Sequence, residues 1–397
     1  MNFFDYIGVS PEVFVRDYLK TGLVTMQTHN DFPLAIYCYG RKAVHDNVWD
    51  NVTSKCRGIV VNQNNDDVVA RPFEKFHNHG SPQAGNVVWT REPYIWEKLD
   101  GFMCTMYRWE GKDYIASKGS FHSIHAKWAT QWYRTHIGET GQWPAGYTPV
   151  FEGLHRDLRI VVDYGTREGL VLLALIHDNT GHEINPAFLN MWADRNKVEV
   201  PTRIDMTLER AREESLKQYR DGLGTEEGYV LTWYPTDRYQ PPVRLKMKFV
   251  DYLRLHRMVC GVTPWRVWEA LSTDNGQITE WLDSQNATPW FEQFVNKWVK
   301  ALTFAYHNHY DEALERFEVT KDKLGVRPSA ETARIHSIRR AFAQEFTRPE
   351  NKEFSSALFK MLDKKDPSPV IWKSVESMTK NGTPCRDPQF LRRKPCP

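Results

Sequence analysis

Lys98 stands in Glu97-Lys98-Leu99-Asp100-Gly101, between one β-rich run and the next. A lysine amine becomes a nucleophile once it sheds its proton, and burial beside other cations disfavours the ammonium form. Lys-x-Asp-Gly alone is weak evidence, because surface turns use Asp-Gly constantly. The ordered set around it carries more. Arg57-Gly58 enters a strand-like run, and Arg71-Pro72-Phe73-Glu74-Lys75-Phe76-His77-Asn78 follows it. Downstream come Ser117-Lys118-Gly119-Ser120, Phe151-Glu152-Gly153, Glu226-Glu227-Gly228 and Arg244-Leu245-Lys246-Met247-Lys248-Phe249. Lys246 and Lys248 are two apart in a strand pattern, so both ammonium groups point to one face. Such a pair is costly unless an anion lies between them. Leu245, Met247 and Phe249 give the other face something to bury. What these residues suggest by themselves is a candidate amine nucleophile and a lysine pair that calls for an anion.

The elements that must position these residues read as short strands joined by turns. The runs are Leu34 to Tyr39, Gly58 to Asn62, Val68 to Phe73, Tyr94 to Trp96, Phe102 to Trp109, Tyr114 to Ser117, and Val150-Phe151. Arg159 to Tyr164, Gly169 to His177, Gly228 to Tyr234 and Val243 to Phe249 continue the series. Gly111-Lys112-Asp113 reads as a hairpin turn. Helical patches fall at Pro11 to Leu19 and Leu208 to Tyr219. This is an α+β pattern dominated by antiparallel sheet and flanked by helices. After about Val259 the apolar period lengthens from near two to near 3.6. Thr288-Pro289 is a helix start, and Phe291, Phe294, Val295, Trp298, Val299, Leu302 and Tyr306 share one face. Helices are also expected at Ala333 to Phe346 and Glu353 to Leu362. The expected division is residues 1–258, a mixed domain, and residues 259–397, an all-helical one.

The length of 397 residues exceeds what one core usually holds. A formal charge of +2 argues against a protein that coats polyanions at large. From Glu331 to Pro397, however, 14 Lys or Arg face 8 Asp or Glu, a local excess that could meet phosphates or simply solvate a helical face. No stretch approaches the roughly 18 apolar residues of a membrane span. The first residues lack a basic and apolar leader pattern, and the six scattered cysteines fit reduced thiols. A cytoplasmic location is the expectation.

Taken in order, these motifs resemble those of the covalent nucleotidyltransferase superfamily of polynucleotide ligases and RNA capping enzymes. Lys98-Leu99-Asp100-Gly101 is similar to its nucleophile motif, Phe151-Glu152-Gly153 to its ribose-contacting motif, Glu227-Gly228 to its acidic motif and Lys246-Met247-Lys248 to its terminal lysine pair. Arg57-Gly58, the Arg-Pro-x-x-Lys-Phe run ending at Lys75-Phe76, Ser117-Lys118-Gly119-Ser120 and Arg159-Ile160-Val161 resemble the phage RNA ligase 1 type. His77 departs from that pattern, which is aromatic there.

The resemblance implies an ATP-dependent RNA ligase. Lys98 would attack the α-phosphorus of ATP and carry AMP, with Lys246 and Lys248 on the α-phosphate. Arg57 and Lys75 would hold the outgoing phosphates, and Lys118 a further phosphate. Glu97, Gly101 and Gly228 would belong to the nucleotide site. Glu152 would receive the ribose hydroxyls or a metal-bound water, and Glu227 would organise Mg²⁺ (or Mn²⁺). AMP would then pass to an RNA 5′-phosphate, and a 3′-hydroxyl would displace it. The helical domain would select the RNA, a broken tRNA anticodon loop being one candidate, with an end-healing kinase or phosphatase as a partner and a phage-infected host cytoplasm as a setting. A DNA ligase or GTP-using capping enzyme would share the nucleophile motif but usually places an OB domain after the lysine pair. A non-catalytic RNA-binding relative would be expected to lose Lys98, Glu227 or Lys246, and all three are present.

Other features read more simply. His77-x-His79, His122-x-x-His125 and His307-x-His309 lack zinc-site partners. Cys56 beside Arg57 reads as buried rather than reactive. Tyr252, four residues after Lys248, is either a site residue or a buried tyrosine.

Overall fold

The computed structural model describes residues 1–84, 91–158, 160–217, 226–237, 239–253, 256, 263–273, 289–325 and 335–380. Contacts divide the chain into two units, Met1–His256 and Arg257–Pro397. The expected boundary near residue 258 lies outside the described residues, as do Arg159, Tyr219, Thr288 and the basic tail.

The first unit holds three four-stranded sheets, all antiparallel. The first is β1 (Val24–Thr28), β2 (Leu34–Tyr39), β3 (Arg57–Asn62) and β4 (Val68–Ala70) in sequence order. The third contains β6 (Phe102–Trp109), β7 (Lys112–Ser117), β8 (Tyr147–Leu154) and β9 (Gly169–His177) in the order β7-β6-β8-β9. The second joins β10 (Arg203–Ile204), β5 (Tyr94–Glu97), β11 (Gly228–Trp233) and β12 (Val243–Lys248) in that order.

Burial explains which runs become which strands. In β9 seven of the first eight residues are buried, so this near-continuous apolar run is covered on both faces. The helix Ile124–His136 covers part of the third sheet, with Ala129 and Tyr133 packed among Cys104, Ile115, Phe151 and Leu172. Its start is fixed by Ser123, whose Oγ accepts from the Ala126 amide at 3.1 Å. β12 alternates instead. Leu245 and Met247 enter a core with Ile95, Tyr229 and Leu231, leaving Arg244, Lys246 and Lys248 on the other face.

Several boundaries differ from the sequence expectation. The β6–β7 turn is Glu110-Gly111, with both residues at positive φ (48° and 76°) and Lys112 already in the strand. A two-residue turn that follows the sheet twist needs that geometry at both positions. β4 stops at Ala70 because the Arg71 amide donates to Thr148 Oγ1 at 2.9 Å and Pro72 has no amide proton. Pro11 to Leu19 splits into an α-turn, Pro11–Val13, and a π-helix, Phe14–Leu19. The expected strand from Arg159 to Tyr164 is absent among the described residues 160–164, whose backbone has another use.

In the second unit every named element is helical: Pro264–Thr273, Pro289–Lys323, Ile335–Phe346, a short Pro349–Asn351 turn, Ser355–Leu362 and Ser368–Lys380. Val295, Trp298 and Leu302 share a core with Val267, Leu271, Trp372 and Val375, as a helical stripe should. No described helix is long and apolar enough to cross a membrane.

Candidate active site

The link Lys98-Leu99-Asp100-Gly101 runs from β5 of the second sheet to β6 of the third. The Lys98 amide donates to the Gly228 carbonyl at 2.8 Å, and Leu99 packs against Leu154 and Val171. Asp100 is 3% exposed and fully engaged. Its Oδ2 accepts the amides of Val161 and Val162 at 2.7 and 2.8 Å, and its Oδ1 accepts the Tyr252 hydroxyl at 2.7 Å. Its own amide donates to the Tyr164 hydroxyl at 2.7 Å. The 160–164 segment is therefore a clasp: the amides that a ladder would have used are spent on a carboxylate. Gly101 can be nothing larger, because a Cβ there would meet the Gly153 carbonyl.

The Lys98 side chain projects to Glu227, with Nζ 2.5 Å from Oε2. The other Glu227 oxygen takes Lys248 Nζ at 2.7 Å. The Glu227 side chain is 4% exposed against 18% for Lys98, so the pair is enclosed. Gly228, at φ 141°, places its missing Cβ against the Met247 carbonyl, which lets β11 and β12 close tightly beside Glu227. Glu152, on β8, accepts the Gly101 amide at 3.1 Å.

The remaining predicted cations gather around this centre. Burial, then Lys75, Lys248 and Lys98, depress Lys246 to about 7. Burial, then Arg57, Lys118 and Lys248, depress Lys75 to about 8. Burial raises Glu152 to about 7 against the opposing pull of Lys98 and Arg57, with Glu227 adding to the rise. Six basic residues (Arg57, Lys75, Lys98, Lys118, Lys246 and Lys248) thus meet two carboxylates (Glu152 and Glu227), and burial and like-charged neighbours push two of the lysines, Lys75 and Lys246, toward the neutral amine.

Aromatic rings support these cations. Lys75 lies 4.8 Å over Trp49, Lys118 4.8 Å over Tyr39, and Lys248 4.8 Å over Tyr252. Phe76 serves both Arg57 at 5.6 Å and Lys246 at 6.0 Å. A ring face offers a partial negative charge without neutralising the cation, so the lysines are held yet remain available to an anion.

A cavity of about 520 Å³ opens beside Lys98, lined also by Arg57, Glu97, Gly101, Lys118 and Glu152. Trp96, Phe102 and Val230 give it apolar walls. Lys75, Glu227, Gly228, Lys246 and Lys248 do not line it. Glu97 spends Oε1 on the Thr202 amide at 2.8 Å and on Arg167 at 3.4 Å, which anchors β5. Arg244, also at the cavity, is held bidentate by Glu183 at 2.7 Å through each nitrogen and is not a free cation. Cys56 is buried and its thiol is pushed up by burial. Tyr252 is a buried tyrosine, as one of the two readings had it, and its hydroxyl donates to Asp100, a contact the sequence did not announce. Tyr164, Tyr39 and Trp49 were not foreseen, and no local spacing marks them.

Glu152 and Glu227 are the carboxylates of this centre that a divalent cation could use; here both Glu227 oxygens are paired with lysines and Glu152 Oε1 accepts the Gly101 amide. Among the described residues no group of three or more His, Cys, Asp or Glu could hold an ion by itself.

The family model described as RNA ligase matches residues 55–249. None of the curated proteins matches. Among solved structures, an archaeal ATP-dependent RNA ligase (form 2) is 14% identical, with 73% of this chain and 72% of that one covered and a TM-score of 0.39. A chain from Aquifex aeolicus assigned as an ATP-dependent DNA ligase is 13% identical, covering 90% and 88%, at a TM-score of 0.40. Naegleria gruberi RNA ligase with PPi is 12% identical at a TM-score of 0.32, covering 42% of this chain and 52% of its own. The chain thus spans about half the length of the Naegleria protein.

Proposed function

From the match of residues 55–249 to the family model described as RNA ligase, we propose that the protein is an ATP-dependent RNA ligase that seals 5′-phosphate and 3′-hydroxyl ends through AMP carried on Lys98. The observation that carries this reading is the gathering of Lys246, Lys248 and Glu227 beside Lys98, a cluster of cations around one enclosed amine that suits a phosphate-bearing ligand.

Lys246 and Lys248 would flank the α-phosphate, with Arg57, Lys75 and Lys118 on the phosphates beyond it. Lys98 must part from Glu227 to attack, and Glu227 Oε2, at 2.5 Å, is the base within reach of its proton. A P–N bond forms, the bond to pyrophosphate breaks, and the leaving charge stays among fixed cations. Glu152 would take the ribose hydroxyls or a metal-bound water. A divalent cation (Mg²⁺, or Mn²⁺ in its place) at Glu152 and Glu227 would supply further neutralisation of the triphosphate. AMP then passes to the RNA 5′-phosphate, and a 3′-hydroxyl attacks that phosphate and releases AMP. The unit up to residue 258 would perform adenylyl transfer, and the helical residues 259–397 would select the RNA. The setting that fits is RNA repair in the cytoplasm (the host's, if the gene is a phage's), on a broken tRNA anticodon loop prepared by an end-healing kinase or phosphatase.

The test incubates the protein with Mg²⁺ and α-labelled ATP or GTP. Label from ATP should become acid-stable and protein-bound, and Lys98→Ala should abolish it. A variant that labels as well as wild type would sink the assignment.

A further inference from the structure

In-line displacement fixes the side from which the RNA end must enter. In the first step Lys98 Nζ and the departing pyrophosphate lie on opposite sides of the α-phosphorus. In the second, Lys98 is itself the leaving group, so the RNA phosphate attacks from the side that pyrophosphate vacated. In the ligase reading Lys75 and Lys118 hold the outgoing phosphates, so the incoming RNA phosphate would arrive beside this pair.

Directly around that pair is a continuous cluster of half-buried rings. Lys118 Nζ lies 4.8 Å over Tyr39 and 3.4 Å from its hydroxyl, and Lys75 Nζ lies 4.8 Å over Trp49. Tyr39 and Trp49 meet edge to face at 5.1 Å, and His77 meets Trp49 edge to face at 5.9 Å. Alternating cations and rings of this kind suit a single nucleic-acid strand, since phosphates take the charges and bases stack on the rings with little sequence preference. We propose that Tyr39, Trp49 and His77 form the shelf that receives the terminal nucleotide of the 5′-phosphorylated RNA strand, with Lys75 and Lys118 taking its phosphate. This rests on the ligase reading and adds the place where the second substrate docks. In the step it serves, a phosphate oxygen of the RNA attacks the AMP phosphorus. The Lys98 Nζ–P bond breaks, a P–O bond forms, the amine regains a proton, and the product is AMP joined to RNA through a pyrophosphate.

The experiment uses the full-length protein and a 5′-phosphorylated single-stranded oligoribonucleotide. His77→Ala should accept label from ATP within about twofold of wild type. Its single-turnover transfer of AMP to limiting RNA should fall about tenfold, the scale of one lost base–aromatic stack. His77→Phe should restore most of that loss. Should His77→Ala fail to fold, His77→Leu carries the same expectation. Unchanged transfer overturns the proposal. So does an equal fall in labelling and transfer, because His77 would then merely support the nucleotide site. Wild-type protein that takes no label at all overturns the ligase reading itself, a result separate from any loss confined to the RNA step.

Discussion

Lys246 and Lys75 are charged groups crowded by others of their own sign, and their protonation should report what fills the site. Lys246 is depressed to about 7, so at pH 8 it is largely neutral in the free protein. A bound polyanion favours the ammonium form, so ATP binding at pH 8 should take up a fraction of a proton. Calorimetry in buffers of different ionisation heat measures this, with Lys98→Ala preventing reaction. Lys246→Met in that background should reduce the uptake, and unchanged uptake would place the titration elsewhere. Glu152 acts in the opposite sense. Its folded value of about 7 lies above the ordinary glutamate value of 4.5, so between these limits the folded state binds more protons than the unfolded one. Its contribution to stability is full at lower pH and is lost as pH rises through about 7. Glu152→Gln should therefore gain in melting temperature relative to wild type from pH 5 to pH 7.5. A constant difference across that range would mean that Glu152 does not titrate there.

At the level of elements, the charged strand was legible and the clasp was not. The alternation in β12 announced that Lys246 and Lys248 share a face, because period two is a local property. Leu34 to Tyr39, Phe102 to Trp109 and Gly169 to His177 were legible for the same reason. Residues 160–164 looked like a strand since Ile160, Val161 and Val162 are β-branched, but their fate was decided by Asp100, some sixty positions earlier in the chain. Ile124–His136 is a helix that its aromatic and histidine content obscured. The rings under the lysines were equally hidden, because Trp49 and Lys75 meet only through the fold. Tyr252→Phe tests the clasp: it withdraws one donor from a buried carboxylate and should cost about 1–3 kcal/mol in urea unfolding, with weaker labelling of Lys98. No change in either would make the Tyr252–Asp100 bond incidental.

For the whole molecule, the partition at His256 sets where a dissection should be made. A cut directly after Phe249 would remove Tyr252 and with it a support of Asp100. Residues 1–256 should keep self-labelling while joining of a structured RNA falls much further. Equal loss of both would count against a substrate-selecting helical unit. The clasp also offers a reporter that needs no substrate. Two amides in a segment without regular secondary structure, Val161 and Val162, are sealed from solvent by a single carboxylate. In deuterated water they should exchange as slowly as the central strands, so one isotope-labelled peptide would show whether the nucleophile's loop is in place.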